Sequence, residues 1–311
     1  MERIKIINDY FIRYLFGREQ NSGILRSFIN AVLTDKGYPP VASVHVTNPF
    51  LGPVREIMKE SILDIRAVDE HGRSYDIEIQ TFRQQRYIAR ALYYWGKLYT
   101  SQLGKGKQYD RLRPVIQINV LDCNLFPDNR VHRNFLVIDR EDPSLALSDH
   151  LQLHFIEARK FARAATVTTA SAISAVGEQV SEPLRNWLTF LKEGNTETFM
   201  QYVINDEFIR QARDEYDDFV MDPAQQAAYD AHEKWLHDYA TNMHHAKEEG
   251  LIEGRKEGLE EGLLRGVEQG KREGLQEALN ETIRKMKAAG FPVETISQIT
   301  GSTAEEIGAI F

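Results

Sequence analysis

Residues 61–80 read SILDIRAVDEHGRSYDIEIQ. Two runs of alternating character, Ser61–Val68 and Ser74–Gln80, flank Asp69-Glu70-His71-Gly72-Arg73, so the stretch is expected to form a β-hairpin. Leu63, Ile65, Ala67, Tyr75, Ile77 and Ile79 share one face at period 2, and Asp64, Arg66, Asp76, Glu78 and Gln80 share the other. A turn centred on His71 sets Asp64 opposite Glu78, Arg66 opposite Asp76 and Ile62 opposite Gln80. A turn centred between His71 and Gly72 would set Glu78 opposite Ile65 and mix polar with apolar residues along both faces, so the first register is expected. Directly opposed residues have Cβ atoms about 4.5–5.5 Å apart, where like charges repel. Arg66 is expected to neutralise Asp76, which leaves the Asp64/Glu78 pair without a local base. A divalent cation would supply the missing charge; a plain solvent-facing polar side is the alternative.

Outward from the hairpin, Asn8 or Asp9 can cap a helix whose apolar positions (Phe11, Leu15, Phe16, Leu25, Phe28, Ile29, Val32) recur at helical spacing until Gly37-Tyr38-Pro39-Pro40. Val41–Val46 reads as a strand, followed by a loop through Pro49, Gly52 and Pro53. Thr81 to about Leu103 reads as a helix stopped by Gly104-Lys105-Gly106, and Arg113–Leu121 as a buried strand. The order is α-β-β-β-α-β. Residues 129–140 and 150–157 suggest two further strands. His132, His150 and His154 match no zinc spacing and are read as structural.

The basic segment after the hairpin is distinctive. Ile79–Tyr109 contains no acid, and Arg83, Arg86, Arg90, Lys97, Lys105 and Lys107 alternate with Tyr87, Tyr93, Tyr94, Trp95 and Tyr99. Arg90, Tyr94 and Lys97 share one helical face. Cations among aromatics beside a carboxylate pair suit a reader of phosphate backbone; aromatics packing on a sheet are the structural alternative. The net charge of −8 hides this asymmetry, because residues 1–125 carry 18 Lys and Arg against 13 Asp and Glu.

Asp64, Glu78 and Gln80 form the pattern D-x13-E-x-Q between a preceding helix and a basic following one. This constellation resembles the PD-(D/E)xK nuclease superfamily. More closely, the chain resembles the recombination-promoting nuclease and transposase family of bacteria. The resemblance is carried by Asn8–Gly17 (NDYFIRYLFG), the ILDI…YDIEIQ hairpin, Tyr93–Tyr99 (YYWGKLY) and Pro114–Ile118 (PVIQI), and resumes in a Glu-Gly-rich tail. It implies a restriction-endonuclease-like α/β fold with an αβββαβ core, and a Mg²⁺-dependent DNA endonuclease linked to recombination or mobile elements. It implies that Asp64, Glu78 and the Ile79 carbonyl ligate Mg²⁺, which keeps several waters and takes phosphate oxygens as further ligands. Gln80 stands where the superfamily carries lysine, so an amide rather than an ammonium would orient the attacking water. DNA contacts are expected from Arg83, Arg86, Arg90, Tyr94 and Lys97. The rival reading is a non-catalytic DNA-binding or interaction protein on a degenerate nuclease fold.

The lone Cys123 excludes an internal disulfide and is read as a packing residue in a reducing cytoplasm. Neither a signal peptide nor a membrane span is expected. The expected organisation is a nuclease core over 1–157, a helical subdomain over 158–245, a charged tail over 246–281 and a short helical motif over 282–311. The tail carries Gly250, Gly254, Gly258, Gly262, Gly266, Gly270 and Gly274 every fourth residue, with Leu251, Leu259, Leu263, Val267 and Leu275 alongside. Seven helical glycines cost roughly 6–7 kcal/mol against alanine, so a lone helix is unfavourable and homo-oligomerisation through the tail is expected. A flexible charged linker is the alternative. The terminal segment suggests short helices with a capping box at Ser302 and Glu305, read as an interaction motif rather than a helix-turn-helix.

Overall fold

The computed structural model describes residues 4–48, 64–81, 86–165 without Lys105 and Lys107, 180–194, 196, 199 and 206–310. The Pro49–Pro53 loop, Ile62, Leu63, Arg83 and Met200–Val203 lie outside the described residues. The chain divides into two compact units, 1–235 and 236–311.

The first unit opens with α1 (Asp9–Phe16), capped by the Asn8 side chain, which accepts from the Tyr10 and Phe11 amides. The single helix expected here is two, because Gly17 closes α1 by donating to the Arg13 carbonyl and α2 (Ser22–Asp35) restarts beyond a 3₁₀ turn. Asn21 bridges the break by donating to the Leu15 carbonyl at 2.9 Å. Gly37 then turns the chain at φ 78°.

Strands β1 (Val44–Val46), β2 (Ile65–Asp69), β3 (Ser74–Gln80), β4 (Val115–Leu121), β5 (His132–Ile138) and β6 (Ala146–Glu157) form one sheet in the order β1-β2-β3-β4-β6-β5. β3, β4 and β6 run parallel, and the remaining pairs are antiparallel. The hairpin has the register centred on His71, with Arg66 opposite Asp76 and Ile65 opposite Ile77. Asp69 builds its turn: one carboxylate oxygen accepts from the His71 and Arg73 amides, the other from Arg73 Nε and the Tyr75 hydroxyl. Gly72, at φ 77°, takes the left-handed position that the turn requires.

Helix α3 (Tyr87–Ser101) links β3 to β4 and packs on the sheet face opposite α1 and α2. It begins at Tyr87, not at the expected Thr81, and Arg86 precedes it in a left-handed conformation at φ 59°. The main core lies on the other face. There Ile65, Ala67, Tyr75, Ile77, Ile79, Ile116, Ile118, Val120 and Ile156 meet Phe11, Leu15, Phe28 and Trp187. After β6 come the helices α4 (Ala158–Ala165), α5 (Glu182–Glu193) and α6 (Glu207–Met221). Leu184, Trp187, Leu188, Ile209 and Phe219 of α5 and α6 complete this core. A smaller cluster under α3 contains Tyr87, Ala91, Leu121, Cys123, Leu153 and Phe155, which places Cys123 in packing.

Helix α7 (Pro223–Ala288) begins in the first unit and runs through the glycine-spaced stretch. At each glycine from Gly250 to Gly274 a Cβ would meet nothing within 4 Å, and Leu251, Leu259, Leu263 and Leu275 are exposed. In the second unit, Ile283, Ile296 and Ile307 form a small core joining the end of α7 to α8 (Val293–Thr300) and α9 (Ala304–Ala309). The capping box lies one residue beyond the expected position, at Thr303 and Glu306, because Gly301 (φ 71°) closes α8 and Ser302 is the connector. No helix among the described residues is long and apolar enough to cross a membrane.

Candidate active site

One face of β2, β3 and β4 carries a continuous polar strip. Asp64 and Arg66 come from β2 and its entry; Asp76, Glu78 and Gln80 from β3; Gln117 and Asn119 from β4, directly across from Asp76 and Glu78. Continuing the hairpin register by one residue sets Asp64 opposite Glu78. Strand β4 reads as apolar, yet its two polar residues sit at period 2. That spacing is the signal that would have assigned Gln117 and Asn119 to this face.

Arg66 pairs with Asp76, as expected, but more closely with Asp64, the residue expected to lack a base. Its Nη2 lies 2.7 Å from Asp64 Oδ2, whereas Nε stands 3.8 Å from Asp76 Oδ1. Burial explains the choice: the Arg66 side chain is 41% exposed and the Asp76 side chain 2%, so full pairing with Asp76 would strip the guanidinium of water. Asp64 therefore has the closer base, and Asp76, with the looser ion pair, lies between two acids. Burial, reinforced by Asp64 and Glu78, pushes its pKa up to about 8.

Glu78 is also buried, and burial raises its proton affinity. Arg90 and the Tyr87 hydroxyl counter the rise, and Asp64 adds to it. The Tyr87 hydroxyl lies 3.1 Å from Glu78 Oε2 and 2.8 Å from Asn119 Oδ1, within donating distance of both, and Asn119 Nδ2 donates to the His154 carbonyl at 3.0 Å. Glu78 is thus held by the first turn of α3. Gln80 ends β3, half-buried on the same face, and its carbonyl accepts from the Asp122 amide at 2.8 Å.

The main chain at Asp64 is fixed from a distance. The guanidinium of Arg13, in α1, donates to the Asp64 carbonyl and, at 3.0 Å, to the Asn48 carbonyl. Asn48 Nδ2 donates to the same Asp64 oxygen at 3.0 Å, and Asn48 Oδ1 accepts from the Arg66 amide at 2.7 Å.

Helix α3 divides its basic and aromatic residues between two tasks. Tyr87 reaches the carboxylates, Trp95 Nε1 donates to the Val115 carbonyl at 3.0 Å, and Tyr99 stacks on Trp95 and hydrogen-bonds His150. These residues dock the helix. Arg86 and Lys97 are exposed, while Arg90 is half-buried with its guanidinium 5.3 Å from the Tyr94 ring centre. The three histidines have structural surroundings: His132 bonds to Asp35 at 2.7 Å and to His154 at 3.0 Å, and His150 to Tyr99.

The donor set suits a hard cation, because the strip offers carboxylate and amide oxygens and no sulfur. Among the described residues, no three His, Cys, Asp or Glu side chains already converge on a metal position. The orphaned, buried Asp76 Oδ1 is the observation that fits such a group.

The model of one protein family, PD-(D/E)XK nuclease family transposase, matches residues 6–246. No curated protein and no solved structure matches the chain.

Proposed function

The chain belongs to the PD-(D/E)XK nuclease family transposases, and on that premise we propose that it is a Mg²⁺-dependent endonuclease that hydrolyses DNA phosphodiester bonds in recombination or mobile-element transfer. The observation that carries this reading is Glu78, buried on an acidic strip and held by Tyr87 at the start of the basic helix α3. Asp64, Glu78 and the Ile79 carbonyl are the proposed ligands. A divalent cation held there would supply Lewis acidity toward the phosphodiester and acidify a water.

The protein's own residues do the positioning. Tyr87 and Asn119 orient Glu78, and Arg13 with Asn48 fixes the backbone that presents Asp64. Gln80, on the same face, orients the attacking water through its amide. Arg86, Lys97 and, outside the described residues, Arg83 hold the phosphate backbone, with Arg90 and Tyr94 between that surface and Glu78. Self-association through the glycine stripe of α7 belongs to the same reading, supported by the open space beside every glycine of the stripe. So does a reducing, cytoplasmic setting, supported by the single cysteine.

The test is nicking of supercoiled DNA by the full chain with and without Mg²⁺. Wild type nicks only with the metal, and Asp64→Ala and Glu78→Ala do not nick while staying folded. Gln80→Lys retains or raises the rate, and Gln80→Leu lowers it. A folded Glu78→Ala protein with wild-type nicking would refute the assignment. DNA binding without metal-stimulated cleavage would favour the non-catalytic reading.

A further inference from the structure

Among the described residues, two oxygen acceptors on the polar strip accept no hydrogen bond. Asp76 is 2% exposed, and its Oδ1 has no donor. Gln117 is fully buried; its Nε2 donates to Asp76 Oδ2 at 3.3 Å, and its Oε1 has no donor. Strand pairing sets these residues side by side, one step from Glu78 and Asn119. Buried polar atoms are nearly always paired, so two adjacent orphaned oxygens require an explanation. The nearest cation, Arg66, holds Asp64 at 2.7 Å, and its Nε, 3.8 Å from Asp76 Oδ1, stands beyond hydrogen-bond distance of that oxygen. What the strip has is a surplus of oxygen acceptors in a place where water is scarce, which is the environment a hard divalent cation selects.

We propose that Asp76, backed by the Gln117 side-chain oxygen, is part of the cation site together with Asp64 and Glu78. This rests on the metal-dependent reading above and goes beyond it, because the motif that marks Asp64, Glu78 and Gln80 assigns no role to either residue. Arg66 holds Asp64 in this structure, and among the described residues no three carboxylates converge on one point. A cation held there would take the place of Arg66 beside Asp64, and the Arg66 side chain, 41% exposed, has solvent to turn to. Asp76 then supplies the buried end of the site and Gln117 orients it, as groups behind a ligand commonly do.

The experiment is a titration of the full chain with Mn²⁺, without DNA, read by the electron paramagnetic resonance signal of the free ion, for wild type, Asp76→Asn, Glu78→Gln and Gln117→Met. Asp76→Asn is expected to weaken Mn²⁺ binding at least tenfold while the metal-free protein unfolds at the same or a higher temperature, since a buried acid is lost without loss of volume. Gln117→Met is expected to weaken binding severalfold. Wild-type affinity in Asp76→Asn, with binding lost in Glu78→Gln, would overturn the proposal and leave the metal-dependent reading intact; Asp76 would then be an acid solvated by buried water. No Mn²⁺ binding by the wild type would overturn both. Should Asp76→Asn fail to fold by circular dichroism, Gln117→Met carries the test, and its wild-type affinity would overturn the proposal.

Discussion

The guanidinium of Arg13 donates to the main-chain carbonyl of Asp64, joining the first helix to the entry of the motif strand across 51 positions of sequence. Arg13 is buried, and its burial lowers the pKa against the pull of Asp64. A buried cation with two carbonyl acceptors is a positioning device, because hydrogen bonds from charged donors are worth about 1.5–3 kcal/mol each.

Arg13→Met keeps much of the side-chain volume and removes the donors. It is expected to destabilise the protein by about 2 kcal/mol or more, since the Asp64 and Asn48 carbonyls lose a buried partner. Urea denaturation measures this. If Asp64 acts as proposed, nicking by the residual folded protein falls as well, whereas substitution of exposed Arg130 leaves both unchanged.

The exposed cations of α3 make a salt-dependence prediction. Each phosphate contact contributes about −0.9 to the slope of log affinity against log salt on duplex DNA. Arg86→Asn together with Lys97→Ala is expected to flatten that slope by up to about 1.8 if both residues touch phosphate. Asparagine suits position 86 because it tolerates the left-handed backbone found there. Fluorescence anisotropy across a salt series is the measurement, and an unchanged slope would move the DNA surface elsewhere.

In the tail, Gly258→Ala, Gly262→Ala and Gly266→Ala separate helix propensity from contact. With nothing within 4 Å of any added Cβ, alanine clashes with no described atom of the chain. Each substitution is expected to stabilise the helix by about 0.8–1 kcal/mol. If the stripe is a self-association surface, the same methyl groups hold the partner backbone away. Helical circular dichroism then rises while the oligomer seen by sedimentation dissociates at higher concentration. A rise in both would leave the stripe outside the contact.

The Asp35–His132–His154 chain makes stability depend on pH. Burial lowers the proton affinity of His132, and burial together with His132 lowers that of His154 well below the usual histidine value. Both therefore bind protons less readily when folded, and the unfolded chain binds more protons once the pH drops below about 6.5, the unperturbed histidine value. Their contribution is fully present above that pH and is lost as the pH falls through the folded values. Asp35 acts in the same direction at lower pH. Burial opposes its ionisation, but His132 and the Ser181 amide hold its carboxyl below the usual range. Denaturant midpoints between pH 7.5 and 5 are expected to fall, and to fall less steeply in His154→Gln.

Much of the architecture is legible in local chemistry. Period-2 alternation on either side of Asp69–Arg73 determines which residues of the hairpin share a face, and a one-residue slip would expose Ile65, Ile77 and Ile79, so the register follows from the sequence. The seven glycines and their leucine companions mark the tail in the same way. Helix breaks are less legible: Phe11 and Phe28 continue one helical pattern across Gly17, because both α1 and α2 turn their apolar side to one core.

What periodicity assigns is a face; it is silent on depth and on partners distant in the chain. Arg66 has Asp64 and Asp76 both within reach on its own face. Only the packed sheet, which buries the Asp76 side chain to 2% exposure against 11% for Asp64, decides which one it holds more closely. Tyr87 reads as one aromatic among several in a basic helix, and Asn119 as an exception in an apolar strand. They meet Glu78 because a crossover lays α3 on β3 and β4. The sequence by itself determined where the strands lie and which residues of the hairpin share a face. Tertiary structure decided the electrostatics of the site, since the free energy of a charge depends on the water it loses and the groups brought beside it, and neither is written in the spacing of residues along one strand.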